Sequence, residues 1–119
     1  MTPGDVVLIR LPQLAGGPPK LRPALVLALL PGPYQNVLIC GISTQLDELQ
    51  PDWDEFIGPE DADFGESGLH RASAIRLSYL SAAHTKELVG VIGRVDAERL
   101  RRILTRLVRV LSPAAPKRS

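Results

Sequence analysis

The sequence is poor in the residues that usually anchor metal ions and disulfides. Its 119 residues include one cysteine and two histidines. A single cysteine excludes an internal disulfide. One cysteine and two histidines are also too few ligands for the usual closed zinc site, which needs four. Cys40 stands in the apolar run of residues 37–42, where a buried structural thiol is the common state. We therefore expect no structural metal and no cofactor.

Long hydrophobic runs and charge of one sign are also missing. The longest apolar stretch covers residues 24–30, whereas a membrane-spanning helix needs about 20 residues. The first residues lack the basic and apolar blocks of a signal peptide. The net charge is only +1, so the field of the whole molecule does not call for a polyanion. We expect a cytoplasmic protein without membrane contact, in which any RNA binding arises from a local arrangement.

Aromatic residues are scarce, and the charges are unevenly spread. Aromatic side chains make up 4% of the sequence, which leaves few platforms for stacking bases, with Trp53 and Tyr34 the better candidates. Residues 47–66 are acidic and residues 94–109 are basic. The acidic stretch is typical of a solvated loop rather than a magnesium site. The basic stretch suits an exposed helix face, or alternatively binding to an RNA backbone.

Apolar periodicity predicts a series of short strands followed by one helix. The expected strands are Asp5–Leu11, residues 24–30, residues 36–42, residues 73–79 and Leu88–Arg94, with a possible edge strand around Glu55–Ile57. Between the first two strands, residues 13–21 contain Gly-Gly-Pro-Pro and predict a loop.

The helix is the clearest element of the sequence. Asp96 is a good N-cap, and the apolar residues that follow it recur at spacings of three and four up to residue 111. Residues 112–119, which follow the helix, include two prolines and no large apolar side chain. This composition predicts a flexible tail. The pattern indicates one domain over residues 1–111, mainly β with a C-terminal helix (α+β), built as a small curved antiparallel sheet or barrel.

Three short motifs follow one another along the strands. They are Gly-Asp-Val-Val at residues 4–7, Arg-Pro-Ala-Leu-Val-Leu at residues 22–27 and Ile-Ser-Thr-Gln at residues 42–45. Together with Ser-Gly-Leu at residues 67–69, the segment 73–76 and the terminal helix, this ordered set resembles the PemK and MazF toxin family over roughly residues 3–111. The resemblance implies an SH3-like barrel, a homodimer, cleavage of single-stranded RNA and inhibition by a cognate antitoxin.

RNA can be cut without a metal when its own 2′-hydroxyl attacks the adjacent phosphorus, provided that the enzyme stabilises charge and assists proton transfer. The resemblance places the active-site arginine of the family at Arg22, whose planar guanidinium can grip two phosphate oxygens. Ser43 takes the place of a hydroxyl residue, usually threonine, that could donate a hydrogen bond to the phosphate. A register shifted by one residue would put Thr44 there instead. A third possibility is that both hydroxyls only bond their own backbone at a strand end.

The group that transfers the proton is the weak point of the resemblance. Some family members have a carboxylate two residues beyond the arginine that matches Arg71, whereas this chain has Ser73, which cannot act as a base at neutral pH. Arg71 can still bind phosphate, and Thr44, Gln45 and Ser73 can contact the substrate. His70 is a residue type suited to acid–base work, although a solvated loop histidine is the commoner case.

The sequence thus predicts a metal-independent, sequence-specific endoribonuclease toxin that acts as a homodimer and is neutralised by an antitoxin. The catalytic residues would be Arg22 and Ser43. A non-catalytic module of the same fold, which binds RNA or the antitoxin without cutting, is the alternative, because Ser73 replaces the carboxylate. A purely structural dimer is the third class and follows from the modest net charge.

Overall fold

The computed structural model describes residues 1–11 and 16–113. Parts of the predicted loop and tail, residues 13–15 and 114–119, lie outside the described residues. The described residues form six strands, namely β1 (Asp5–Leu11), β2 (Lys20–Leu29), β3 (Asn36–Ser43), β4 (Glu55–Ile57), β5 (Ser73–His84) and β6 (Leu88–Arg94). The helices are α1 (Phe64–Ser67), α2 (Ala97–Leu111) and the two 3₁₀ turns Leu46–Glu48 and Thr85–Glu87.

The strands form one antiparallel sheet in the order β4-β5-β3-β2-β1-β6. The predicted fold class, mainly β with a C-terminal helix, is confirmed. The sheet is open in its hydrogen bonding, because β4 and β6 are its edges. Helix α1 packs against β6 and so brings the two ends of the sheet together.

The sheet buries apolar side chains on both faces, because neighbouring residues of a strand point to opposite sides. The first core lies against α2 and includes Val6, Leu25, Ile75 and Ile103. The second core, on the opposite face, is made by these residues: Val7, Ile9, Ala24, Val26, Val37, Ile39 and Ala83. β2 is therefore buried on both faces at residues 24–27, as its unbroken apolar run predicts.

Helix α2 begins after Asp96, whose carboxylate accepts a hydrogen bond from the Arg99 backbone nitrogen at 2.8 Å. This N-cap confirms the predicted start. Ile103 and Leu107 are buried against the sheet, whereas Val108 is exposed. The fifteen residues of α2 are fewer than a membrane crossing requires, and in the described chain no helix is both long and apolar enough for one.

The acidic stretch is tied to α2 by ion pairs. Arg99 is buried, its Nε lies 2.8 Å from Asp63 Oδ2, and its Nη1 lies 2.9 Å from Glu55 Oε1. Burial alone would raise the pKa of Asp63, but the hydrogen bonds from Arg99 and from the Asp96 backbone, with the Arg99 charge, lower it below the ordinary 3.8. Arg102 and Arg106 also reach Glu55. The prediction of a solvated acidic loop is wrong for Glu55 and Asp63, and that of an exposed arginine face is wrong for Arg99, because these charges pair with partners far away in sequence.

A second buried pair joins the acidic stretch to β5. Arg76 Nε lies 2.6 Å from Asp54 Oδ2, and Asp54 Oδ1 accepts a hydrogen bond from the Leu77 backbone nitrogen at 2.9 Å. Burial, helped by the charge of Asp54, raises the pKa of the Cys40 thiol to about 12. Cys40 is fully buried and stays protonated, as expected of a structural thiol.

Strand β5 is longer than predicted and contains a bulge. The sequence indicates a strand that ends at Tyr79, but β5 continues to His84. Its pairing with β3 steps from Gly41–Arg76 to Cys40–Leu80, so residues 77–79 have no partner opposite them. His84 then caps the following turn by accepting a hydrogen bond from the Lys86 backbone nitrogen at 3.0 Å, which is a structural role.

Gly68 and Gly93 allow α1 to approach β6 closely. Gly68 has φ of +77°, and a Cβ on it would lie 2.2 Å from the Ile92 carbonyl oxygen. A Cβ on Gly93 would lie 2.2 Å from the Glu66 carbonyl oxygen. Close backbone packing therefore accounts for the glycine at position 93.

Gly93→Ala should destabilise the protein by about 1–3 kcal/mol, because backbone would have to move to admit one methyl group. Gly90→Ala on the same strand is the matched control, since a Cβ there meets nothing within 4 Å. Denaturant unfolding of both variants measures the difference. Equal free energies of unfolding for the two would contradict the close packing of α1 on β6.

Candidate active site

One cavity, of about 520 Å³, opens on the face of the sheet that carries the second core. Its floor is apolar and includes Ile9, Ala24 and Ile39. Its polar lining residues come from β2, from the end of β3 and from β5: Arg22, Ser43, Thr44, Gln45, Ser73, Tyr79 and Ser81. A concave apolar pocket with a few polar groups is the usual form of a binding site.

Arg22 and Ser43 reach this cavity because of strand alternation. Arg22 lies two residues before Ala24 on β2, and Ser43 lies four residues after Ile39 on β3, so each shares a face with a second-core residue. β2 and β3 are adjacent antiparallel strands. β2 begins at Lys20, earlier than the sequence indicates, because Lys20 still pairs with β1. Arg22 is thereby held within a paired strand.

The guanidinium of Arg22 has no carboxylate partner among the described residues. Arg22 is exposed, and across residues 1–11 and 16–113 no acidic oxygen lies within ion-pair distance of it. By contrast, Arg99 and Arg76 are buried in ion pairs. An arginine without an internal counter-charge keeps its five donors available for an external anion such as phosphate.

The hydroxyl of Ser43 is fixed by the chain that follows it. Ser43 Oγ accepts a hydrogen bond from the Gln45 backbone nitrogen at 3.0 Å. This is the local backbone bond expected of a hydroxyl at a strand end. Because the oxygen acts there as an acceptor, the hydroxyl proton can still be donated to another group. The local bond and a role in anion binding are therefore compatible.

The remaining predicted site residues divide into two groups. Thr44, Gln45 and Ser73 line the cavity with Arg22 and Ser43. Ser73 is buried, and its Oγ donates a hydrogen bond to the Arg71 carbonyl oxygen at 2.8 Å. The side chains of Arg71 and His70 are exposed and are not among the cavity residues. The structure therefore brings together five of the six predicted residues and leaves Arg71 outside.

Sequence reasoning missed Tyr79, the aromatic side chain that lines the cavity. The two favoured stacking candidates lie elsewhere. Trp53 packs on the first core and its Nε1 donates to Ser78 Oγ at 3.1 Å, and Tyr34 lies in the turn between β2 and β3. Tyr79 is the last residue of the irregular stretch of β5, residues 77–79, where alternation no longer predicts which way a side chain points. In the part of the chain that the structure describes, no cluster of three or more metal-binding side chains occurs.

Comparison with known proteins gives one family and one fold. The family model described as "PemK-like, MazF-like toxin of type II toxin-antitoxin system" matches residues 2–111. No curated protein matches the chain. A solved structure described as an endoribonuclease in complex with its cognate antitoxin, from Mycobacterial species, superposes with a TM-score of 0.61 at 17% identity, covering 97% of this chain and 99% of that chain. At this identity the superposition supports the fold alone.

Proposed function

Because the chain belongs to the PemK-like, MazF-like toxin family of type II toxin-antitoxin systems, we propose that it is an endoribonuclease toxin that cleaves single-stranded RNA. The observation that carries the proposal is the convergence of Arg22 and Ser43 on one cavity. A guanidinium without an internal partner and a hydroxyl able to donate are the groups that hold a phosphodiester. The activity belongs in the cytoplasm, where such RNA is found.

In the proposed reaction the 2′-hydroxyl oxygen of the RNA forms a bond to the adjacent phosphorus, and the bond from phosphorus to the 5′-oxygen breaks. The products are a 2′,3′-cyclic phosphate and a 5′-hydroxyl end. Arg22 stabilises the negative charge that grows on the non-bridging oxygens, and Ser43 donates a hydrogen bond to one of them. Both groups are positioned by paired strands, so little reorganisation is needed.

In this proposal, water accepts the proton of the 2′-hydroxyl and supplies the proton of the leaving group. Within the described residues, the cavity lining contains no carboxylate and no imidazole. Ser73, which stands where some relatives have a carboxylate, uses its hydroxyl on the Arg71 carbonyl oxygen. The 2′-hydroxyl therefore loses its proton to solvent, and the leaving 5′-oxygen gains one from solvent. Catalysis rests mainly on positioning and charge stabilisation.

Metal independence is supported by the fate of the acidic residues. Asp54 and Glu55 are two carboxylates of the acidic stretch, a group type that magnesium ions bind, and both are held by arginines in buried ion pairs. A carboxylate that already neutralises an arginine is a poor candidate for a metal ligand. The proposal therefore requires no metal ion.

The proposal includes a homodimer and an antitoxin. The edge strand β6 exposes Val89 and Val91, each about half accessible, and a symmetric partner would cover such side chains. The antitoxin would be an acidic segment that occupies the cavity and competes with RNA, anchored by Arg22 and by the exposed Arg71.

The test is incubation of the purified protein with single-stranded RNA in EDTA, followed by gel analysis. We expect discrete fragments, and a duplex of the same sequence should resist. Because Ser73 replaces a carboxylate, a module that binds RNA without cutting is the rival. Retarded but intact RNA would favour that rival, and neither binding nor cleavage would refute both.

Ser43→Ala should slow cleavage by about 10- to 150-fold, which corresponds to the loss of one hydrogen bond to a charged group. Thr44→Ala is the matched comparison, since Thr44 also lines the cavity but lies beyond the end of β3, and we expect less than about threefold from it. Single-turnover cleavage rates give both numbers. If Thr44→Ala lost more cleavage activity than Ser43→Ala, the hydrogen bond to the phosphate would be assigned to Thr44 instead.

A further inference from the structure

We propose that Tyr79 is the stacking platform of a nucleobase subsite, which holds an unpaired base next to the scissile phosphate. The inference rests on the proposed function and adds to it the part of the substrate that this side of the cavity recognises. Tyr79 lines the cavity that also holds Arg22 and Ser43, and its side chain is half exposed.

The fold contains two features that place this ring in the cavity. The bulge of residues 77–79 interrupts the pairing of β5 with β3, and Tyr79 is its last residue. Opposite the bulge stands Gly41, where a Cβ would lie 3.2 Å from Tyr79 Cβ and 3.3 Å from its Cδ2. A side chain at position 41 would therefore crowd the ring. The glycine leaves the space that the ring fills.

Charged side chains also hold the Tyr79 ring in place. The Arg76 guanidinium carbon lies 4.5 Å from the ring centroid, in cation–π contact. Tyr79 Oη donates a hydrogen bond to Glu48 Oε1 at 3.3 Å, and Arg76 is itself fixed by Asp54 at 2.6 Å. A ring that is fixed before the ligand arrives loses little conformational entropy on binding. Such rigidity suits a recognition surface better than a chance exposed tyrosine.

The surroundings match the chemistry of a base. Ile9, Ile39 and Leu80 line the same cavity as the ring and offer apolar surface against which a base can be buried. Ser81 and Gln45 add side chains that can donate or accept hydrogen bonds at its edge. Stacking on an aromatic ring with nearby polar groups is the common way in which proteins hold single-stranded bases. Arg22 on the same cavity places the phosphate next to that base.

The experiment uses an RNA oligonucleotide with a 2′-O-methyl group at the mapped cut, so that the RNA binds but is not cleaved. Tyr79→Ala should weaken its binding by about 5- to 150-fold, the range for loss of one base stack. Tyr79→Phe, which keeps the ring, should recover most of the affinity. Tyr34→Ala removes an exposed tyrosine outside the cavity and is the control expected to change nothing.

A second arm separates stacking from a merely structural role. The affinities of wild-type protein and Tyr79→Ala are measured for two abasic oligonucleotides, one without the base on the 5′ side of the cut and one without the base on the 3′ side. When the missing base is the one that stacks on Tyr79, the two proteins should bind the RNA equally. Two results would overturn the base subsite without affecting the proposed function. One is equal binding of the complete RNA by wild-type protein and Tyr79→Ala. The other is a difference in affinity between the two proteins that stays the same on both abasic RNAs. Wild-type protein that neither binds nor cuts RNA would refute the proposed function as well.

Discussion

Arg22→Ala is expected to reduce the rate of RNA cleavage by about 30- to 1,000-fold. The loss corresponds to about 2–4 kcal/mol of transition-state stabilisation, as found when one preorganised charge contact is removed from a site. Arg22 projects from a paired strand and lacks an acidic partner in the described chain. The effect should appear in kcat, since the contact strengthens as charge develops on the phosphate.

Two controls make this result specific. Arg22→Lys keeps the charge but loses the two-pronged geometry, so it should retain part of the activity. Arg10→Ala removes an exposed arginine of β1 whose side chain points to the opposite face from its neighbour Ile9, which lines the cavity. Its cleavage rate should match that of the wild type. An equal loss for Arg10→Ala would indicate general attraction of RNA to positive charge rather than a phosphate site.

The largest effect on stability is expected for Arg99→Met, at about 3–5 kcal/mol. The change leaves Asp63 and Glu55 buried without their central partner, and removing one member of a buried pair costs far more than the pair contributes. Arg102 and Arg106 still reach Glu55, so the carboxylate most affected is Asp63. Denaturant unfolding at neutral pH and fixed protein concentration measures the loss.

The same helix supplies the control. Arg101 is exposed, and among the described residues its ion-pair partner is Glu98, one turn away, so Arg101→Met should leave the free energy of unfolding almost unchanged. The double variant Arg99→Met with Asp63→Asn should recover part of the loss, because it removes the uncompensated charge. A loss for Arg99→Met no larger than that for Arg101→Met would contradict the importance of this buried network.

The sequence predicted the regular elements well, because their signals are local. β1, β6 and α2 begin and end as their apolar patterns indicate. Strand alternation also accounts for the meeting of Arg22 and Ser43 on one face. The position of Arg71 could not be predicted in this way, since it lies in the turn before β5, where no periodicity applies.

The features that sequence reasoning missed depend on contacts between distant residues. Asp63 and Arg99 are 36 residues apart, so neither local stretch shows that the acidic segment will be neutralised. β5 pairs with two neighbours, β3 and β4, and the bulge at residues 77–79 interrupts its pairing with β3. Neither neighbour can be recognised from the pattern of β5 alone, and so the aromatic part of the cavity was not foreseen.

The central claim, that the substrate's own 2′-hydroxyl attacks a phosphate held by Arg22 and Ser43, has one direct test. An RNA oligonucleotide is compared in EDTA with the same oligonucleotide carrying a single 2′-deoxy nucleotide on the 5′ side of the cut. We predict that only the RNA is cleaved, leaving a 2′,3′-cyclic phosphate and a 5′-hydroxyl. Cleavage of the 2′-deoxy substrate, or products with a 5′-phosphate, would contradict the claim.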